Sequence, residues 1–292
     1  MQSSVFTLTP GQEAAVRAPT QFADVGGRQL AYRSIGAGDP ILLCQRFRGN
    51  LDDWDPAFLA ALAEYYQVIY FDYGGMASST GEPHEHITAF ASDVMGLADA
   101  LSINRFLLLG WSFGGWVVQA VTALFPERVR QAILIGTRPP GPPAFDLDPL
   151  FLEVAFRPVN TFEDEVILFF EPDDANSVAA ARKSHDRIRA RTENQDTPVK
   201  PEHWGNYRKG GEYFSGENQE YLQRLRETDI PILVISGDHE ICFPPENWFT
   251  LNRQLPTTQV IVIPRAGHGP QHQYPALTAA YIHAFVSHHP EH

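Results

Sequence analysis

Short runs of about four apolar residues recur along this chain, and most are followed by a longer segment with apolar residues at helical spacing. Ile41 to Cys44, Val68 to Phe71, Phe106 to Leu109 and Ala132 to Ile135 read as strands buried on both faces. Asp55-Pro56 opens a helix reaching about Tyr65, with the proline in its first turn. His86 to Leu101 carries Ile87, Phe90, Val94, Leu97 and Leu101 along one helical stripe, and Gly114 to Leu124 reads as a further helix. Parallel neighbours need crossovers of this kind, so the alternation predicts an α/β fold with a mostly parallel, doubly wound sheet. Ahead of it, Phe22 to Val25, the Gly26-Gly27 turn and Arg28 to Ser34 form a hairpin pattern. Pro10, Gly11 and Pro19 predict an N-terminal arm that lies on the surface or frays.

The alternation breaks at Pro139-Pro140-Gly141-Pro142-Pro143. Helical stretches such as Ser177 to Arg191 follow, without a convincing buried strand. Strands resume at Ile232 to Ile235 and Val260 to Ile263, and a last helix runs from about Pro275 to Val286. Residues 1–141 and 229–292 therefore form one core, and 142–228 a helical insertion after the sixth strand. A chain of 292 residues, 43% hydrophobic, is long enough to bury such a core.

Charge and composition remove several function classes. With 22 basic against 35 acidic side chains the net charge is −13, which repels phosphate backbones and anionic lipid, so neither nucleic acid nor membrane is an expected partner. No apolar run approaches the length of a membrane span, and Met1 to Thr20 lacks an apolar signal core, so a cytoplasmic location is expected. Cys44 and Cys242 are too few for a disulfide framework or a cysteine-rich metal site, and Cys44 reads as a core residue.

The most informative motif is Gly110-Trp111-Ser112-Phe113-Gly114-Gly115, set between the Phe106 to Leu109 strand and the helix behind it. This is G-x-S-x-G in strand–turn–helix context. A serine nucleophile must stand clear of the sheet on a sharp turn, and the glycines let backbone pass close on either side. The helix behind it aims free N–H groups and its positive dipole end at the reacting centre. A serine hydroxyl needs a histidine to take its proton and a carboxylate to fix that histidine's tautomer. Asp238 follows the Ile232 to Ile235 strand in Ser236-Gly237-Asp238, and His268 follows the last strand in Pro264-Arg265-Ala266-Gly267-His268-Gly269. Both lie where ligands of open α/β sheets bind. Ser112 is thus read as nucleophile, His268 as base and Asp238 as the orienting acid. Glu240 is the rival carboxylate, and His239 and His272 are the rival histidines.

On these residues the chain resembles the α/β-hydrolase superfamily, in its lid-bearing serine-esterase-like branch, from about Phe22 onward. The resemblance implies that 142–228 is a helical lid, and that the loop after the third strand supplies an oxyanion N–H. Counting back from Trp54, that residue is Phe47, and the second N–H is that of Phe113. Gln45-Arg46 stands where the family usually has His-Gly, which predicts strain at Arg46 if that position needs a positive φ. The family's D-x-R-G-x-G-x-S pattern appears as Asp72-Tyr73-Gly74-Gly75-Met76-Ala77-Ser78-Ser79, without its arginine and one of its glycines.

Other clusters carry weaker readings. Arg46 and Arg48 either hold a substrate carboxylate or pair locally with Asp52 or Asp53, and the local pair is preferred; Arg46 and Trp111 are named as substrate contacts. His84-Glu85-His86 reads as a surface turn, and His288, His289 and His292 as a solvated tail. Trp204, Tyr207, Tyr213 and Phe214 line a lid pocket or simply pack. The function expected is hydrolysis of a carboxylic ester or lactone through an acyl-enzyme, with a small-molecule substrate and no cofactor or metal. The same triad also serves carbon–carbon cleavage of a diketone, or cofactor-free oxygenase or perhydrolase chemistry. A non-catalytic small-molecule receptor is the reading from another class.

Overall fold

The computed structural model describes residues 7–216 and 220–289. The Tyr213 side chain and His292 lie outside what it describes. Its first element corrects the sequence reading. Thr9 caps helix α1 (Pro10–Arg17) by accepting from the Gln12 N–H, the Gln12 side chain accepts from the Thr9 N–H, and Pro10 sits in the first turn. The arm does lie on the surface, with Pro10, Gly11, Glu13, Ala14 and Arg17 exposed, but it is a capped helix that buries Ala15 and not a fraying end, and Thr-Pro-x-Gln was its signal in the sequence.

A hairpin of β1 (Gln21–Val25) and β2 (Arg28–Ile35) leads into β3 (Asp39–Cys44), α2 (Pro56–Ala63), β4 (Tyr66–Phe71), α3 (Ile87–Ala100), β5 (Phe106–Trp111), α4 (Phe113–Leu124) and β6 (Val129–Ile135). Then come five helices: α5 (Pro149–Ala155), α6 (Phe162–Phe169), α7 (Ala175–Ile188), α8 (Trp204–Ser215) and α9 (Glu220–Glu227). The chain closes with β7 (Ile232–Gly237), α10 (Glu246–Phe249), β8 (Thr258–Ile263), α11 (Pro270–Gln273) and α12 (Pro275–His288). The strands form one eight-stranded sheet in the order β1-β2-β4-β3-β5-β6-β7-β8. β2 runs antiparallel to β1 and β4, and every other neighbouring pair is parallel.

Both faces of the sheet are covered, which explains why the central strands read as unbroken apolar runs. Leu42, Leu108, Leu134 and Val234 point into one layer with α3 and α4. Leu43, Leu109, Ile135 and Ile235 point into the other with α1, α2 and α12. Each such fully buried side chain contributes about 1.5–3 kcal/mol, so the centre of the sheet is a firm platform for the loops at its edge. Cys44 and Cys242 are buried, and burial pushes both thiols up, which leaves them inert.

Among the described residues no strand lies between β6 and β7. The helices there are tied to the sheet by buried ion pairs. Arg187 of α7 grips Asp55 at 2.7 and 2.6 Å, while Asp55 also caps α2 by accepting from the Ala57 N–H. Arg48 donates to the carbonyls of Ala155 and Arg157 at 2.6 and 2.9 Å and lies over the Trp204 ring. No described helix is long and apolar enough to cross a membrane.

Candidate active site

Ser112 follows β5 directly and precedes the first residue of α4, with φ 59° and ψ −121°. A positive φ at a residue with a side chain is strained and persists only where the surroundings hold it. Here backbone does the holding. A Cβ on Gly110 would lie 2.2 Å from the Gly114 carbonyl oxygen, and one on Gly114 would lie 2.2 Å from that of Cys44. The two glycines let the strand, the helix and the end of β3 meet within backbone contact. The Ser112 N–H donates to Ile135 O and its carbonyl accepts from Gly115 N–H, both at 2.9 Å. Its side chain makes no capping bond to α4.

His268 lies in the loop after β8 and is buried. Its Nδ1 is 2.6 Å from Glu240 Oε2, and neither side chain is more than 1% exposed. The other Glu240 oxygen accepts from the N–H groups of Cys242 and Phe243, at 2.7 and 3.1 Å. The carboxylate is therefore satisfied on both oxygens, as a buried charge requires. With Nδ1–H donating to it, Nε2 is the nitrogen left to act as a base. Trp111 fixes the same loop from the other side, its indole N–H donating to the His268 carbonyl at 2.8 Å. Phe151, Phe243, Phe169 and Trp111 stand around the imidazole with ring centroids 5.7–6.3 Å away. Gly136, at the end of β6 with φ 51°, packs on the pair: a Cβ there would fall 3.1 Å from His268 Nδ1 and 3.2 Å from Glu240 Oε2.

This corrects the acid. Asp238 does not reach His268; its side chain is 39% exposed and bonds the neighbouring His239 at 2.6 Å. The physical reason is the length of β7. Its pairing with β8 runs through Gly237, and the Asp238 N–H still donates to Ile263 O. Asp238 therefore leaves the sheet facing water, and the chain turns inward only two residues later. The sequence signal was the apolar Ile241-Cys242-Phe243 that follows Glu240 and carries it into the interior.

The residues predicted to supply the oxyanion N–H groups are brought near each other by the close approach at Gly114. A Cβ on that glycine would also lie 2.8 Å from the Gln45 carbonyl, so the loop holding Phe47 rests on the head of α4, where Phe113 begins the helix. Among the described residues the N–H groups of Phe47 and Phe113 have no acceptor in the protein. Arg46 does not take a positive φ and escapes the strain that one would bring; Arg48 takes it, at 61°. Gln45, in place of the family's histidine, is buried and braces the loop by donating to Asn50 O at 2.8 Å. Arg46 forms the local pair favoured from sequence, with Asp53 at 3.1 Å, and lies over the Trp111 and Phe169 rings.

Ser112, His268, Phe47, Arg46 and Trp111 all line one cavity of about 470 Å³. Trp204, Tyr207 and Phe214 are core residues; Trp204 and Tyr207 pack on Phe47, and Phe214 on Trp116. His84, read as a surface turn, is mostly buried and bonds Asp93 at 2.7 Å beside Arg28. No group of three candidate metal ligands occurs among the described residues.

Comparison with known proteins agrees with this architecture. An α/β-hydrolase fold protein from Chitinophaga pinensis superposes with a TM-score of 0.81 at 27% identity, over 93% of this chain and 98% of its own. A thermophilic esterase from Thermogutta terrifontis gives 0.70 at 26% identity, over 94% and 100%. A 2-hydroxy-6-oxo-2,4-heptadienoate hydrolase from Pseudomonas putida is 26% identical over 256 residues, 83% of this chain and 87% of that one. Residues 39–275 match the alpha/beta hydrolase fold as a family, and the chain belongs to it.

Proposed function

We propose that this chain is a serine hydrolase of carboxylic esters or lactones that works through an acyl-enzyme. The observation that carries the reading is one cavity lined by both Ser112, on its strained turn, and His268, with Nδ1 bonded to a buried Glu240. His268 Nε2 takes the Ser112 proton as the oxygen attacks the carbonyl carbon. The N–H groups of Phe47 and Phe113 receive the developing oxyanion. The C–O bond to the leaving alcohol then breaks, and His268 returns the proton to that alcohol. Water, deprotonated by His268, attacks the acyl-enzyme and releases the acid and the free serine. Glu240 holds the ring and stabilises the imidazolium throughout. The helices of 142–228 act as a lid that bounds the pocket and excludes water.

The likeness to an esterase supports this reading, and the named hydrolase of Pseudomonas putida supports carbon–carbon cleavage of a diketone as the second. A fluorophosphonate probe should label wild type on Ser112. Ser112→Ala should lose the label and about 10⁴–10⁶ of the turnover of 4-nitrophenyl butanoate. A label elsewhere, or near-normal turnover in Ser112→Ala, ends the proposal. Turnover of a vinylogous diketone but no ester moves the function to the second reading.

A further inference from the structure

One wall of the cavity carries polar groups that the mechanism above does not use. Helix α7 faces the cavity with Ala181, Ser184, His185 and Ile188, one stripe at helical spacing. Ser184 is 1% exposed, and its Oγ has no hydrogen-bond partner among the described residues. Helix α11 packs against α7, held there by the Ser177 hydroxyl donating to Gln273 Oε1 at 2.9 Å, and it brings His272 to the same cavity. His272 is 3% exposed, and its Nε2 has no partner among the described residues. The imidazole stacks 4.6 Å from Trp111, the ring that also borders His268. A buried polar atom left unpaired is costly, and two in one wall of a reactive cavity mark a place where a ligand supplies the missing partner.

The charge around them says what kind of partner. Burial holds His272 neutral, with a pKa lowered to about 4. Of the cations lining the cavity, Arg46 is matched by Asp53, Arg189 by Glu165 and Arg191 by Asp52, while Arg48 donates to main-chain carbonyls. Among the described residues of α7 and α11 that face the cavity, an anion would find no unmatched cation. A neutral oxygen would find a hydroxyl and an imidazole, each able to donate or accept.

Building on the hydrolase reading, we infer that Ser184 and His272 form a specificity subsite for a second, uncharged oxygen of the substrate, a ketone or hydroxyl borne on the chain of the ester. The protein thus selects oxygenated esters over plain aliphatic ones and over those ending in a carboxylate.

The test is calorimetric binding to Ser112→Ala, which cannot turn over its ligand. The probes are methyl hexanoate, methyl 5-oxohexanoate and monomethyl adipate. The keto ester should bind about tenfold more tightly than the other two, as one buried hydrogen bond provides. Ser184→Ala should bring the ratio close to one, since it suits a helix and removes only an unpaired hydroxyl. His272→Phe should do the same. Equal or tighter binding of methyl hexanoate overturns the subsite, and tightest binding of the adipate ester replaces it with an anion site. A ratio unchanged by Ser184→Ala also overturns it, whatever His272→Phe does to folding. Wild-type kcat/KM on the same esters separates the two claims. A binding ratio without turnover sinks the hydrolase reading alone, and turnover without the ratio sinks the subsite alone.

Discussion

At the end of β5 the serine is held by short-range necessity. Two glycines admit carbonyl groups where any Cβ would collide, and the chain can then leave the strand only through a left-handed residue. At the end of β7 the carboxylate is selected by distance in space. Asp238 is still tied to β8 and faces water, whereas Glu240, two residues on, is buried against His268. The first arrangement is written in residue types over six positions. The second is decided by where a loop turns, which depends on β8 and on the residues packed behind it. Local constraint and tertiary burial thus position two partners of one site by different means.

Substitutions should separate these two controls. The largest effect falls on the buried carboxylate. Glu240→Gln keeps the shape but removes the charge and the fixed tautomer, and should lower kcat on an activated ester about 10³-fold. A smaller loss would show that the pair at 2.6 Å is structural only. Next comes the elbow itself. Gly114→Ala pushes a methyl into the Cys44 carbonyl and should cost about 3 kcal/mol in denaturant unfolding, with loss of fluorophosphonate labelling. Wild-type stability there would break the claim that backbone contact enforces the turn.

His272 extends the contrast to the histidines, since it is as buried as His268 but lacks a carboxylate partner. Burial first, with Arg46 and Arg187 adding to it against Asp55, lowers its pKa to about 4. The unfolded chain, with an ordinary imidazole near 6.5, takes up the proton sooner as pH falls. Stability is therefore present above about pH 6.5 and is lost progressively toward pH 4. Between pH 7.5 and 5 the wild type should lose about 2 kcal/mol more than His272→Phe, measured by urea titration at both pH values. An equal acid loss in the two proteins removes His272 as the cause. The smallest effect is that of Asp238→Asn. It should change kcat/KM by less than about threefold, because the exposed pair with His239 contributes little.

What sequence revealed follows the same division. The strand runs, the helical stripes and the elbow were legible because each depends on periodicity or on glycine placement within a few residues. His268 was legible through its place after the last strand. Glu240 was weighed and set aside, because closeness to a strand end is a poor guide to which side chain turns inward. Helix α1 was missed because Pro10 and Gly11 were read as breakers, when Thr9 and Gln12 around them form a reciprocal cap. Strain at Arg46 was expected only if its position needed a positive φ, and the loop places that conformation two residues on, at Arg48. Ser184 was not singled out, and His272 was weighed only as a rival base, because nothing in a sequence shows that a buried polar atom lacks a partner.

Arg48 has a consequence for how such a protein can diversify. It stands next to Phe47 and fastens 155–158 by donating only to their main-chain oxygens. A clasp that grips only peptide carbonyls is blind to the identity of the residues it holds. Side chains along that stretch can be exchanged while its backbone stays fastened one residue away from the proposed oxyanion donor.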